Sequence, residues 1–256
     1  MADTSTAEAL RQAVAPLIPG FRVEVVPEVD STNSELMRRA RAVAAEPLLF
    51  VAEHQRAGRG RLGRGWVSRE GESLTFSLGV PLAPADWSGL SLAVGAAIAE
   101  SLHPAIQLKW PNDLWFDGRK LAGILVETAA PGDASSPAPR YAVIGVGINI
   151  LPRPEAGLAT PPAALQEPIP GITAAEALKR IALPLVEAVK AFETYGFAPF
   201  QSRFNARDAL RDRPVVLSDG TTGTAHGVGE SGGLLVHTAE GMRVVTSSEV
   251  SVRPGA

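Results

Sequence analysis

Between Glu53 and Ser68 the chain reads EHQRAGRGRLGRGWVS, a stretch with little preference for helix or strand. Glycines at 58, 60, 63 and 65 interleave with arginines at 56, 59, 61 and 64. Glycine gives up more backbone freedom on ordering than any other residue, so the segment resists regular structure. No acidic side chain between Arg56 and Arg64 offsets the four guanidinium groups. Such a loop suits a flexible cover that becomes ordered over an anion, a phosphate above all. The alternative is a solvated basic loop without a ligand.

The rest of the chain is ordinary globular material: 256 residues, 45% hydrophobic and 20% charged. That is enough for one large domain, or one large and one small. A formal net charge of -3 argues against wholesale attraction to nucleic acid or membranes, so the basic loop is a local feature. The absence of cysteine excludes disulfides, thiol catalysis and thiolate metal sites. The first residues, MADTSTAEALRQAV, carry Asp3 and Glu8 and lack the apolar centre of a signal peptide. No apolar run reaches membrane-spanning length, so a soluble cytoplasmic protein is expected.

Periodicity predicts a short helix over 5–15 and a strand over 21–29, with Phe21, Val23 and Val25 alternating. Asp30, Ser31 and Thr32 are N-cap candidates for a helix whose face is Leu36, Met37, Ala40 and Val43. Strands follow at 48–53 and 74–80, then a largely buried helix at 88–102. Residues 107–113 read as a strand ending in a Pro-Asn-Asp turn, and 114–128 as a hairpin about Asp117-Gly118. The glycines of YAVIGVGINIL (141–151) mark close backbone approach. Stretches 130–139 and 152–171, the latter with six prolines, read as irregular connections. Helices are expected over 173–192, kinked by Pro184, and over 197–210. From about Arg213 short strands between Gly-rich turns predict a small β-barrel. The division is therefore 1–211 for the large domain and 212–256 for the small one.

DSTN (30–33), EHQRAGRGRLGRGW (53–66), LKWPNDL (108–114), GRKLAGILVE (118–127) and VIGVGIN (143–149) occur in one order and spacing. Together they resemble the biotin–protein ligases (biotin–[acetyl-CoA-carboxylase] ligases) over roughly residues 22 to 253. The resemblance implies an α+β catalytic domain similar to class II synthetases, with a mixed sheet flanked by helices and a small C-terminal β-barrel. It implies a two-step reaction. Biotin's carboxylate attacks the α-phosphorus of ATP, giving biotinyl-5'-adenylate and pyrophosphate. A lysine amine of an acceptor protein then displaces AMP. Two anions must be brought together, so cations and Mg²⁺ are implied, with metal ligands unassigned. The intermediate hydrolyses readily, so a cover that excludes water is needed.

Carried over residue by residue, Ser31, Thr32 and Asn33 match the biotin-contacting turn, with the helix cap as their structural alternative. Gln55 matches a biotin contact at the base of the loop. Arg59, Gly60 and Arg61 match the part that closes over carboxylate and phosphate. Arg56 is read as a solvated charge, and Arg64 stays unassigned. Trp66 resembles the aromatic that packs on adenine, although an aromatic is more often core. Lys109 would reach the ATP phosphates; otherwise it is a snorkelling edge lysine. Asn112 is implied in metal or phosphate binding, and Asn149 resembles an adenine-site residue. Lys120 would stabilise charge on the biotin carboxylate and α-phosphate. Asp113 would orient Lys120 or help deprotonate the acceptor amine; the alternative is an ordinary cross-strand ion pair. Gly123 and Gly147 would let the ligand approach the sheet.

The implied acceptor is a biotin carboxyl carrier protein or domain. About 20 residues precede the first strand, too few for the DNA-binding helix-turn-helix of some relatives, so a ligase-only type without DNA binding is expected. Monomer and homodimer both stay open. Two other functions stand beside this one: a lipoate or octanoate ligase or transferase of related fold, and a non-catalytic RNA-binding module using the Arg/Gly loop.

Overall fold

The alternation at residues 22–29 builds a strand, and the chain on either side follows the periodicities of its sequence. The computed structural model describes residues 4–42, 46–129, 139–153, 162–246 and 252–254. In order come α1 (Thr4–Val14), β1 (Arg22–Val29), α2 (Thr32–Ala42) and β2 (Leu48–Gln55). A small ribbon follows, β3 (Gly58–Arg59) and β4 (Gly65–Trp66), and then β5 (Ser73–Leu82) and α3 (Leu90–Leu102). Next are β6 (Gln107–Lys109), β7 (Asp113–Phe116), β8 (Arg119–Ala129), β9 (Arg140–Asn149), α4 (Ala174–Tyr195) and α5 (Ala198–Asn205). The chain ends with β10 (Pro214–Leu217), β11 (Thr222–Val228), β12 (Leu234–Thr238), β13 (Gly241–Val245) and β14 (Val252–Pro254). Of the expected loop at 130–139, residues 130–138 lie outside the described residues, and of the connection at 152–171, residues 154–161 do.

Seven strands form one sheet in the order β1-β2-β5-β9-β8-β7-β6. Within it only β1 and β2 are parallel; the remaining pairs are antiparallel. The two faces of the central strands differ because side chains alternate. On one face Leu74, Phe76, Leu78 and Val80 of β5 and Ala142, Ile144, Val146 and Ile148 of β9 join the main core, together with buried residues of α1, α3 and α4. On the other face α2 covers only one end, where Leu36 packs with Leu48, Phe50, Tyr141 and Val143. Beyond that end the same face carries Ser73, Thr75 and Ser77 paired with Asn149, Gly147 and Gly145. Of these, Gly145 and Gly147 line an open cleft, and the polar side chains are buried beside it.

Local chemistry sets the element ends. Ser31 is the N-cap of α2: its Oγ accepts the Ser34 N–H at 3.4 Å and its carbonyl accepts the Glu35 N–H at 3.0 Å. The β7–β8 hairpin turns at Asp117 and Gly118, both with positive φ (50° and 70°), as a two-residue primed turn requires. Thr173 and Glu176 form a reciprocal capping box at the start of α4, which continues through Pro184 for 22 residues. The helix expected over 197–210 is shorter. After Asn205 the chain extends to pair with β6, Leu108 N–H donating to Arg207 O and Ala209 N–H to Leu108 O, both at 2.8 Å. The Arg/Gly segment also differs from a structureless loop, for β3 and β4 pair Gly58 with Trp66 and Arg59 with Gly65.

The C-terminal strands form a five-stranded antiparallel sheet in the order β13-β12-β11-β10-β14. It is fastened to the larger unit by the fully buried Trp110, whose Nε1 donates to Gly232 O at 3.0 Å. Asn205 adds a second link, accepting the Val228 N–H at 2.8 Å. Among the described residues no helix is long and apolar enough to cross a membrane.

Candidate active site

Residues of β9 and β8 form the floor of a cleft of about 750 Å³, measured out to its open mouth. Its walls bring together Ser31, Thr32 and Asn33 at the start of α2, Gln55 at the end of β2, and the ribbon residues Arg59, Gly60, Arg61 and Trp66. Asn112, Asp113, Lys120 and Gly123 close the far side. These residues are far apart in the sequence, and register places them in one cavity.

The floor is made of glycine because other groups need the space. A Cβ at Gly145 would stand 2.0 Å from Asn33 Oδ1, and one at Gly147 would stand 2.4 Å from Trp66 Cε2. The close backbone approach read from VIGVGIN is therefore to the protein's own Asn33 and Trp66. At Gly123 a Cβ would stand 3.3 Å from Lys120 Nζ.

The polar wall has defined donors and acceptors. Asn33 Nδ2 donates to Glu127 Oε2 at 2.9 Å and to Leu125 O at 3.2 Å. Its Oδ1 can then only accept, and the Ser77 hydroxyl donates to it at 2.6 Å. Gln55 Oε1 accepts the Thr32 N–H at 2.7 Å, which turns the Gln55 amide nitrogen the other way. The Thr32 hydroxyl has one proton for two neighbours, Gln55 Oε1 at 3.1 Å and Ser77 Oγ at 2.7 Å. Acceptor capacity on Thr32 Oγ1 and Gln55 Oε1 is thus left for an incoming N–H, the kind of partner a cyclic urea supplies.

The opposite wall is cationic. Lys120 Nζ lies 2.7 Å from Asp113 Oδ1 across the β7–β8 hairpin. The two are not aligned as a hydrogen bond, since Asp113 Oδ1 is buried without a hydrogen-bond partner. Lys120 Nζ also stands 6.0 Å from the Trp66 ring centroid, and Trp66 Nε1 is buried without a partner. Burial lowers the pKa of the Arg61 guanidinium from its ordinary value; nearby Asp113 opposes this and the like charge of Arg64 adds to it. Arginine stays charged regardless, so the cleft mouth holds Arg61 and Arg64 as neighbouring cations. A polyanion would relieve that repulsion.

Three expected residues stand elsewhere or are otherwise engaged. Lys109 does not line the cleft; its Nζ lies 5.2 Å from the Trp115 ring centroid. Asn149 is buried under the segment that returns at 163–165, donating to Ala163 O at 3.0 Å and accepting from Arg153 at 2.9 Å. Asn112 does line the cleft, but its Nδ2 is tied to Ile124 O at 2.8 Å. Arg56 points away from the cavity towards Glu28, 3.3 Å from its Oε1.

Other residues were missed by sequence reasoning. Glu127 holds both Asn33 and Arg59. Ser77 orients Asn33, and Arg64, named in the loop but given no role from sequence, lines the cleft. Arg153, 8% exposed, joins Asn149 to Val67 O at 3.2 Å, beside the root of the ribbon. A polar residue inside an apolar strand was the available signal for Ser77. Glu127 ends a quoted motif and gave a similar hint.

Comparison with known proteins agrees with this geometry. Residues 25–149 match the Biotin/lipoate A/B protein ligase family, and residues 213–253 match the Biotin protein ligase C terminal domain. The chain is 36% identical over 248 residues to the bifunctional ligase/repressor BirA of Escherichia coli, covering 92% of this chain and 75% of that protein. It is 34% identical over 236 residues to a biotin--[acetyl-CoA-carboxylase] ligase of Paracoccus denitrificans, covering 86% of this chain and 96% of that one. A solved biotin protein ligase from Aquifex aeolicus, in complex with biotin and ATP, superposes with a TM-score of 0.77 at 30% identity, covering 91% of this chain and 99% of that one. With its ligand-sized cleft, its cationic wall and these relatives, the chain belongs to the biotin protein ligase family.

Proposed function

We propose that the cleft joins biotin to AMP and then passes the biotinyl group to a lysine of a biotin carboxyl carrier protein or domain. The chain is an ATP-dependent biotin–protein ligase, and the make-up of its cleft supports this assignment of roles. The observation that carries this reading is the convergence of a hydrogen-bonding wall (Thr32, Gln55) and a cationic wall (Lys120, Arg59, Arg61) on one glycine floor.

In the first step the biotin carboxylate oxygen bonds to the α-phosphorus, and the bond to pyrophosphate breaks. Lys120 and Arg61 screen the two anions and the charge that builds at phosphorus. In the second step the acceptor amine bonds to the acyl carbon, AMP leaves, and the amine loses a proton. Asp113 takes a place beside that amine as orienting carboxylate and proton acceptor. The ribbon from Gly58 to Trp66 shields the adenylate from water, and Trp66 contacts the nucleotide.

Among the described residues no three His, Asp or Glu side chains gather into a metal cage. Mg²⁺ commonly binds through substrate phosphates and one or two carboxylates. Asp113, whose buried Oδ1 lacks an aligned donor, suits that part. When bound, the ion would neutralise phosphate charge. The working divisions we assign are 1–211 for catalysis and 212–256 for the β unit, in the cytoplasm, with no role on DNA.

The test is an incubation with biotin, ATP, Mg²⁺ and a carrier domain, read by intact mass. One biotinyl addition to the carrier, dependent on ATP, is expected. Octanoyl or lipoyl transfer with no biotinyl transfer would overturn the reading.

A further inference from the structure

Glu127 stands at the point where the polar wall and the arginine ribbon meet. It lies near the end of β8 and is half-buried, with 27% of its side chain exposed. One oxygen, Oε2, accepts from Asn33 Nδ2 at 2.9 Å and forms a salt bridge with the Arg59 guanidinium at 2.5 Å. Asn33 is fully engaged by Glu127, Leu125 O and Ser77 and cannot turn to follow another partner. The carboxylate is therefore anchored from below by a buried amide and offers its charge to the ribbon above.

The ribbon pairs with itself through β3 and β4, on a glycine-rich backbone. Gly58, Gly60, Gly63 and Gly65 give it high conformational entropy when free. Its tip, Leu62, has φ 55° and ψ 35° and is 71% exposed. The cations Arg61 and Arg64 repel one another. A carboxylate clasping Arg59 counters this before any substrate anion is present.

We propose that Glu127 is a positioning residue that clasps the ribbon through Arg59 and couples its closure to the Asn33 side of the cleft. Glu127 touches no reacting atom. It sets how long the ribbon stays down over the cleft, and hence how well the intermediate is retained. The retention part rests on the ligase reading above; the clasp itself does not.

The test is hydrogen exchange of residues 58–66 in the ligand-free full chain, for Glu127→Gln, Arg59→Gln and the double variant. A partly exposed charge pair of this kind is worth about a fivefold change in opening. Each single variant is expected to raise exchange in 58–66 by about fivefold, with no further rise in the double variant. Unchanged exchange in Glu127→Gln, or additive effects of the two substitutions, would overturn the clasp.

A second readout separates position from general stability. The amide oxygen introduced by Glu127→Gln can still accept from Asn33, so this variant should keep the KM for biotin while releasing adenylate faster in the absence of acceptor. Glu127→Ala loses both contacts and should raise that KM as well. Equal KM increases in both variants would show that Glu127 serves only the polar wall. Wild-type protein that makes no adenylate would sink the ligase reading while leaving the exchange result intact.

Discussion

Trp66 rests directly on Gly147: a Cβ at position 147 would be 2.4 Å from indole Cε2 and 2.7 Å from Nε1. The indole closes the cleft only because the floor strand has no side chain there. Gly147→Ala should therefore push the ribbon outwards and leave the core face of β9 intact. A misplacement of about 1 Å at a reacting centre can cost about 100-fold, and a loss of that order in pyrophosphate release is expected. Near-wild-type rates with an unchanged circular dichroism spectrum would mean that Trp66 has no part in closure.

Lys120→Ala should abolish adenylate formation, with a fall of about 1000-fold or more in ATP–pyrophosphate exchange. The fold should survive, because the Lys120–Asp113 pair is partly open to water and its loss costs about 1 kcal/mol or less. Retained exchange activity would remove Lys120 from the first step.

Arg61 sits at the mouth of the cleft, with its guanidinium partly withdrawn from water. Arg61→Ala should shorten the lifetime of bound adenylate by about 10-fold to 100-fold. The lifetime is read by trapping the protein after removal of free biotin and ATP. An unchanged lifetime would count against a covering role for this arginine.

Asp208 offers a pH test at the junction of the two units. Burial pushes its carboxyl up to about 6, and Oδ2 is buried without a partner. The folded protein then holds this proton more tightly than the unfolded chain, whose Asp titrates near about 4. Stability from this group accordingly falls as pH rises between about 4 and 6 and stays lower above that. Asp208→Asn keeps an oxygen for the Leu210 N–H that Oδ1 now accepts at 2.9 Å. It should stabilise the protein by about 1–2 kcal/mol more at about pH 7.5 than at about pH 4. Urea midpoints at the two pH values measure this, and equal shifts would contradict it.

The fold was legible wherever one period dominated. The alternation of β1, the Asp117-Gly118 turn and the Ser31 cap each follow from nearest neighbours in the chain. The residues lining the cleft were legible because short motifs marked most of them. What escaped depends on long-range register. Glu127 meets Asn33 and Arg59 across 94 and 68 positions. Ser77 lies beneath the cleft wall, paired with Gly145 and donating to Asn33, and its polarity within an apolar strand hints at a polar contact without naming the partner. Lys109 and Asn149 sit in quoted motifs, yet a cross-strand tryptophan and a returning segment take up their side chains.

The floor strands also limit how such a protein can change. In β5 and β9 even-numbered positions enter the main core, while odd-numbered positions take the opposite face, where Tyr141 and Val143 pack under α2 and Gly145 and Gly147 line the cleft. Dropping or adding a single residue in either strand would exchange the two, turning leucines outwards and serines inwards. Divergence here must proceed by swapping one side chain for another, never by altering strand length, so specificity and foldability share a common reading frame.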